Sequence, residues 1–132
     1  YLITTVTSGR DPVFRDFRSG RIVVNEMRSL EVEGRADTLA WVLMPDHLHW
    51  LMQLGVGQTL ARVIRILKGR SSRSLNQYLE RYGAVWQSAY HDHAVRRDED
   101  LNRLARYIVA NPLRAGIVAS VGDYPLWDCV WL

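Results

Sequence analysis

Apolar and polar positions change period several times along the 132 residues, and each change marks an element. Tyr1 to Thr7 is β-branched and aromatic, ends at Ser8-Gly9, and predicts a first strand. Arg10 to Arg18, with Asp11-Pro12, predicts a loop. From Ser19 to Glu33, Ile22, Val23, Met27 and Leu30 recur at near-helical spacing, and Gly34 is the stop. Thr38 to Met44 predicts a second strand, and Pro45-Asp46 turns it into a third, His47 to Leu54, as an antiparallel hairpin closed by Gly55 and Gly57. Leu60, Val63, Ile64, Leu67, Leu75, Tyr78 and Leu79 form one stripe of a long helix from Gln58 to Arg81, with a kink expected at Gly69. The later part of Trp86 to Val95 predicts a fourth strand.

Asp98-Glu99-Asp100 opens the next helix, because acids in a first turn meet unpaired N–H groups. Leu101, Leu104, Ala105, Ile108 and Val109 are its apolar stripe, and Asn111-Pro112 closes it. Leu113 to Val118 suits a short helix, and Trp127 and Trp131 are expected to be packing aromatics. Strand, helix, strand, strand, helix, strand is the order of a ferredoxin-like βαββαβ antiparallel sheet, an α+β fold, here with appended C-terminal helices. One domain over residues 1–132 is expected.

Side chains two apart on a strand share a face and are separated by roughly 6.6 Å along the chain. Leu48, Trp50 and Met52 should therefore face the helices, which leaves His47 and His49 on the open side. Two imidazoles so placed can bind one divalent ion, or can be two surface histidines; the short pattern fits both. Tyr107 and Asn111 stand at i and i+4, on a helical face that also carries Arg103, Arg106 and Arg114. If that helix crosses the open face, Tyr107 approaches the metal and Asn111 adds an amide oxygen. Otherwise Tyr107 is an aromatic cap and Asn111 a helix stop. A phenol is a weak nucleophile near neutral pH because its reference pKa is about 10, so such chemistry needs a nearby cation. Imidazole and carboxamide ligands with open positions allow Mg²⁺ or Mn²⁺.

Composition adds three constraints. The hydrophobic fraction of 48% supports a core. The single cysteine, Cys129, excludes an internal disulfide and suits a reducing, cytoplasmic setting. No segment has the length and apolarity of a membrane span, and no membrane partner is expected. The chain opens on Tyr1 rather than Met, which implies sequence upstream. The net charge of +3 is unevenly spread: Gln58 to Arg114 holds 11 Lys/Arg against 5 Asp/Glu, whereas Tyr1 to Gly57 holds 6 against 7. Arg62, Arg65, Lys68, Arg70 and Arg73 lie on the long helix with few intervening acids, a surface suited to nucleic-acid phosphates or to plain solvation.

Met44-Pro45-Asp46-His47-Leu48-His49-Trp50-Leu51, then Trp86-Gln87, Tyr90-His91-Asp92-His93 and Tyr107-Ile108-Val109-Ala110-Asn111-Pro112-Leu113-Arg114-Ala115-Gly116, resemble the REP-associated tyrosine transposases, within the single-tyrosine HUH transposases. The resemblance covers nearly the whole chain, in order. It implies that His47 and His49 hold a divalent ion, Mg²⁺ or Mn²⁺, and that Tyr107 attacks single-stranded DNA to leave a 5′-phosphotyrosine and a free 3′-OH. Asn111 matches a position where relatives place a polar metal ligand, often Gln, which is longer by a methylene. The implied substrate is a hairpin-forming repetitive palindrome with a guide sequence, read partly by an N-terminal segment that is not found in this chain. Arg62, Arg65, Lys68 and Arg73, with Arg103 and Arg106, would bind DNA. His91 and His93 would contact DNA or support the site, as a monomer or homodimer. Two rival readings remain: a Zn²⁺ hydrolase built on His47, His49, His91 and His93, and a non-catalytic binder of structured single-stranded nucleic acid.

Overall fold

The computed structural model describes residues 1–96 and 100–130. Strand β1 (Leu2–Val6) is followed by two short 3₁₀ turns and helix α1 (Phe17–Val32), then by β2 (Ala36–Met44) and β3 (His47–Leu54). Helix α2 (Leu60–Leu79), β4 (His91–His93), α3 (Leu101–Val109), α4 (Asn111–Arg114) and β5 (Trp127–Cys129) complete the chain. The strands form one antiparallel sheet in the order β4-β1-β3-β2-β5. The first four have the ferredoxin-like arrangement expected from the element order, and β5 extends the sheet beyond β2.

Local chemistry accounts for most element ends. Asp16 caps α1, accepting from the Arg18 N–H and from the Ser19 hydroxyl. Gly34, at φ +73°, takes the left-handed turn that stops the chain running on as helix. Thr59 and Asp100 cap α2 and α3 in the same way, each accepting from the N–H three residues on. Asp98 and Glu99, also expected in that helix start, lie outside the described residues, as does Trp131.

Register and burial decide what covers each face. Trp41 pairs with Trp50 and Leu43 with Leu48, and this face packs beneath α1 and α2 with Ile3, Val24, Met27, Val63, Ile64 and Leu67. Trp50 is fully buried, and its indole N–H donates to the Thr38 hydroxyl at 2.9 Å. Burying that indole without a partner would cost about 1–3 kcal/mol. His47, His49 and Leu51 point to the opposite face, opposite Met44, Val42 and Ala40.

That second face is not bare. Helix α3 packs over β2 and β5, so Ala40, Val42 and Met44 are buried from both sides with Ala105, Ile108 and Val109. The physical reason is the tail: β5 widens the sheet, and an apolar stripe on α3 then has a surface to cover.

Two expectations are corrected in detail. Helix α2 runs unbroken through Gly69, which is exposed and has open space where a side chain would stand, so a lone glycine weakens the helix without kinking it. The segment after Pro112 is helical only to Arg114, not to Val118. Trp127 packs against the core as expected, and it does so from an edge strand, pairing with Val42. No helix among the described residues is long and apolar enough to cross a membrane.

Candidate metal and tyrosine site

β3 starts at His47, directly after the Pro45-Asp46 turn, so the first imidazole stands at the end of the sheet and the second one pleat further in. The Asp46 carboxylate is shared: one oxygen lies 2.7 Å from Nδ1 of His47, and the other accepts from Arg10 Nη1 at 3.0 Å. Burial opposes ionisation of Asp46, but His47 and Arg10 outweigh it and hold the carboxyl below its ordinary range. Across the β1–β3 ladder, Thr4 Oγ1 lies 2.9 Å from Nδ1 of His49. The two rings meet edge to face, with centroids 4.8 Å apart and planes at 84°.

Each ring is thus anchored through Nδ1. In the tautomer that donates from Nδ1, Nε2 of each ring presents its lone pair, which is how a second partner prepares a histidine for a metal. Burial first, then the positive charges of His47 and Arg114, lower the pKa of His49 to about 4. His49 is therefore a neutral imidazole across the physiological range, the form in which an imidazole can bind a metal. Two such nitrogens have the donor chemistry to share a divalent ion.

Tyr107 lies in the last turn of α3, the helix over this face, and is 63% exposed, so it is no core cap. Asn111 opens α4 and is half-buried. Pro112, as its second residue, supplies no N–H, and Ala110 ends α3 one residue before. From the far end of α4, Arg114 folds back: its guanidinium carbon lies 3.8 Å from the Tyr107 ring centroid, and Nη1 donates to the Tyr107 carbonyl. Arg103 and Arg106 are exposed on the same helix. Arg114 is the residue that sequence reasoning left without a role. Its seven-residue spacing from Tyr107, two helical turns, was the available signal.

His91 and His93 pair with Thr4 and Leu2, so both occupy the same sheet face as His47 and His49, but beyond β1. With strands spaced about 4.8 Å, the two histidine pairs stand roughly 10 Å apart in the sheet. Among the described residues no three His, Cys, Asp or Glu side chains gather as a metal group. The four-histidine zinc centre is thereby corrected: an intervening strand separates its halves.

The basic helix α2 packs with α1 on the Trp50 face, away from the paired imidazoles. Arg62, Arg65 and Arg73 are exposed there. Lys68 is not presented in the same way. Its ammonium donates to the carbonyls of Gln87, Ser88 and Ala89 at 2.8, 3.4 and 3.1 Å and lies 5.4 Å from the Tyr90 ring centroid. Burial lowers its pKa. Lys68 therefore fastens the segment entering β4, and its three donors are already engaged by the fold.

Comparison with known proteins identifies the family and the fold. The family model described as "Transposase IS200 like" matches residues 1–111. The REP-associated tyrosine transposase of Escherichia coli K12 is 31% identical over 90 residues, covering 65% of this chain and 50% of its own length. A Haemophilus influenzae protein whose name carries the same words is 34% identical over 99 residues, covering 67% of this chain and 56% of its own. The chain thus spans about half the length of these curated relatives. A solved structure of a REP-associated tyrosine transposase bound to a REP hairpin superposes with a TM-score of 0.74 at 22% identity, over 96% of this chain and 73% of that one. At that identity the likeness is one of fold.

Proposed function

The chain belongs to the IS200-like transposase family, and from that membership we propose that it nicks and rejoins single-stranded DNA through Tyr107, on strands that carry a hairpin such as a repetitive extragenic palindrome. The observation that carries this reading is the pair of imidazoles anchored through Nδ1 by Asp46 and Thr4, on the face over which the tyrosine helix packs. The family name alone would leave the chemistry open. The anchored pair supports metal-assisted chemistry on this face.

His47 and His49, with the Asn111 carboxamide, would hold a divalent ion. Such an ion supplies charge neutralisation at the phosphate and favours the ionised phenol. The chain's own part is to position. Asp46 and Thr4 fix the rings, and α3 carries Tyr107 on an ordered helix rather than a loop. Tyr107 Oη attacks phosphorus, forming a phosphotyrosine ester on the 5′ side as the P–O3′ bond breaks. The phenolic proton passes to a base in solvent and the departing 3′ oxygen takes one up. One ester replaces another, so no nucleotide cofactor is needed for rejoining.

Denaturing electrophoresis tests this directly. The protein with Mn²⁺ and labelled hairpin-bearing single strands should give a covalent adduct that Tyr107→Phe abolishes, with DNA affinity within about twofold of the parent. An adduct formed equally by Tyr107→Phe would remove the nucleophile. Binding without any adduct under Mn²⁺ or Mg²⁺ would leave a DNA-binding domain in place of an enzyme.

A further inference from the structure

The Arg114 side chain makes two contacts with the proposed nucleophile. Its guanidinium carbon lies 3.8 Å from the Tyr107 ring centroid, and Nη1 caps the Tyr107 carbonyl. The local reason is the helix break. Tyr107 belongs to the last turn of α3, whose carbonyls lack helical partners, and a basic side chain from the following turn can satisfy one of them. Capping explains one N–H of the five that a guanidinium carries. It does not explain why the guanidinium lies over the ring of an exposed tyrosine.

Arg114 is itself exposed, and among the described residues no carboxylate forms an ion pair with it. Arg10, Arg35, Arg70 and Arg81 each have one. An exposed, unneutralised planar cation thus lies against a phenol ring. That arrangement matches a phosphodiester, whose two non-bridging oxygens accept paired N–H groups.

We propose that Arg114 is a positioning and phosphate-binding residue: it holds the Tyr107 ring along the helix axis and offers its free N–H groups to the phosphate under attack. The proposal rests on the Tyr107 reading, and it adds a residue whose part differs from those of Arg62, Arg65 and Arg73. Those, on the other face of the sheet, can grip backbone anywhere along a strand.

The test uses the whole chain, labelled with ¹⁵N and kept in EDTA so that no transfer occurs. A twelve-residue oligo(dT) is titrated to saturation while the arginine Nε–Hε signals and the Tyr107 ring signals are followed. Arg114 Nε–Hε should move, and the Tyr107 ring should move with it. In Arg114→Lys, which keeps charge but loses the planar stack, the Tyr107 ring response should be lost while DNA affinity changes less than threefold. With Mn²⁺ and saturating hairpin DNA, the same variant should form adduct at least tenfold more slowly.

An Arg114 signal that stays still while other arginines shift would overturn the proposal, and this readout on the parent needs no variant to fold. So would Arg114→Lys reacting at the parental rate. A parent that shows the Arg114 shift but never forms an adduct would support the phosphate contact and count against the tyrosine chemistry alone.

Discussion

Thr4 and His49 are direct partners across the β1–β3 ladder, and the threonine oxygen lies 2.9 Å from Nδ1 of the imidazole. Nothing else among the described hydrogen bonds fixes that ring. Thr4→Val keeps the shape and the β-branch but removes the oxygen. Mn²⁺ affinity, measured by titration calorimetry on metal-free protein, should fall about tenfold, the lower end of what second partners of metal-bound histidines contribute. An unchanged isotherm would show that the ring needs no such anchor.

Lys68 and Arg65 neighbour each other on α2 but should behave differently. Arg65→Ala removes an exposed cation, so DNA binding should weaken and the slope of log K against log salt should flatten by about one. Lys68→Ala removes the donors to three carbonyls. It should lower stability by about 1–2 kcal/mol, with the salt slope close to the parent's. Equal changes in salt slope would return Lys68 to the DNA surface.

Tyr124 donates its hydroxyl to the Leu43 carbonyl, and burial pushes its pKa up to about 12. The unfolded chain loses this proton near its ordinary value of 10, before the folded one does. The contribution is therefore complete below pH 10 and is lost as pH rises from 10 to 12. Tyr124→Phe should lower stability near neutrality by about 1–3 kcal/mol, because a buried carbonyl loses its donor. Denaturant melts should show the gap between parent and variant closing above pH 10, and a constant gap would refute the assignment.

Gly55 ends β3 against the turn after α1, where a β-carbon would stand 1.9 Å from the Gly34 carbonyl oxygen. Backbone on the opposing side cannot swing away as a side chain can. Gly55→Ala should cost more than about 2 kcal/mol in equilibrium unfolding, well outside the range of ordinary surface changes. A loss under about 0.5 kcal/mol would mean that the two loops separate freely.

Legibility in the sequence followed the range of the physics. The β2–β3 hairpin and its histidines were readable because strand alternation and a Pro-Asp turn act within a few residues. The apolar stripes of α1 and α2 repeat within a turn, so starts read at Ser19 and Gln58 fell within two residues of Phe17 and Leu60, although the caps Asp16 and Thr59 were not singled out. The bonds of Lys68 to Gln87, Ser88 and Ala89 were not legible because those partners lie 19 to 21 positions away. The short β5 was missed because three residues carry too little period to register, and pairing with Val42 and Ala40 is what makes them a strand.

By itself the sequence determined that His47 and His49 share one face and that Leu48, Trp50 and Met52 take the other, because a period of two is a property of the strand alone. It also placed Tyr107 one helical turn before Asn111 and ended that helix before Pro112. Only tertiary structure decided that α3 lies over the histidine face, that β1 separates His91 and His93 from the imidazole pair, and that Arg114 folds onto Tyr107. Each of these depends on which surfaces bury one another across tens of residues, and local periodicity carries no term for that.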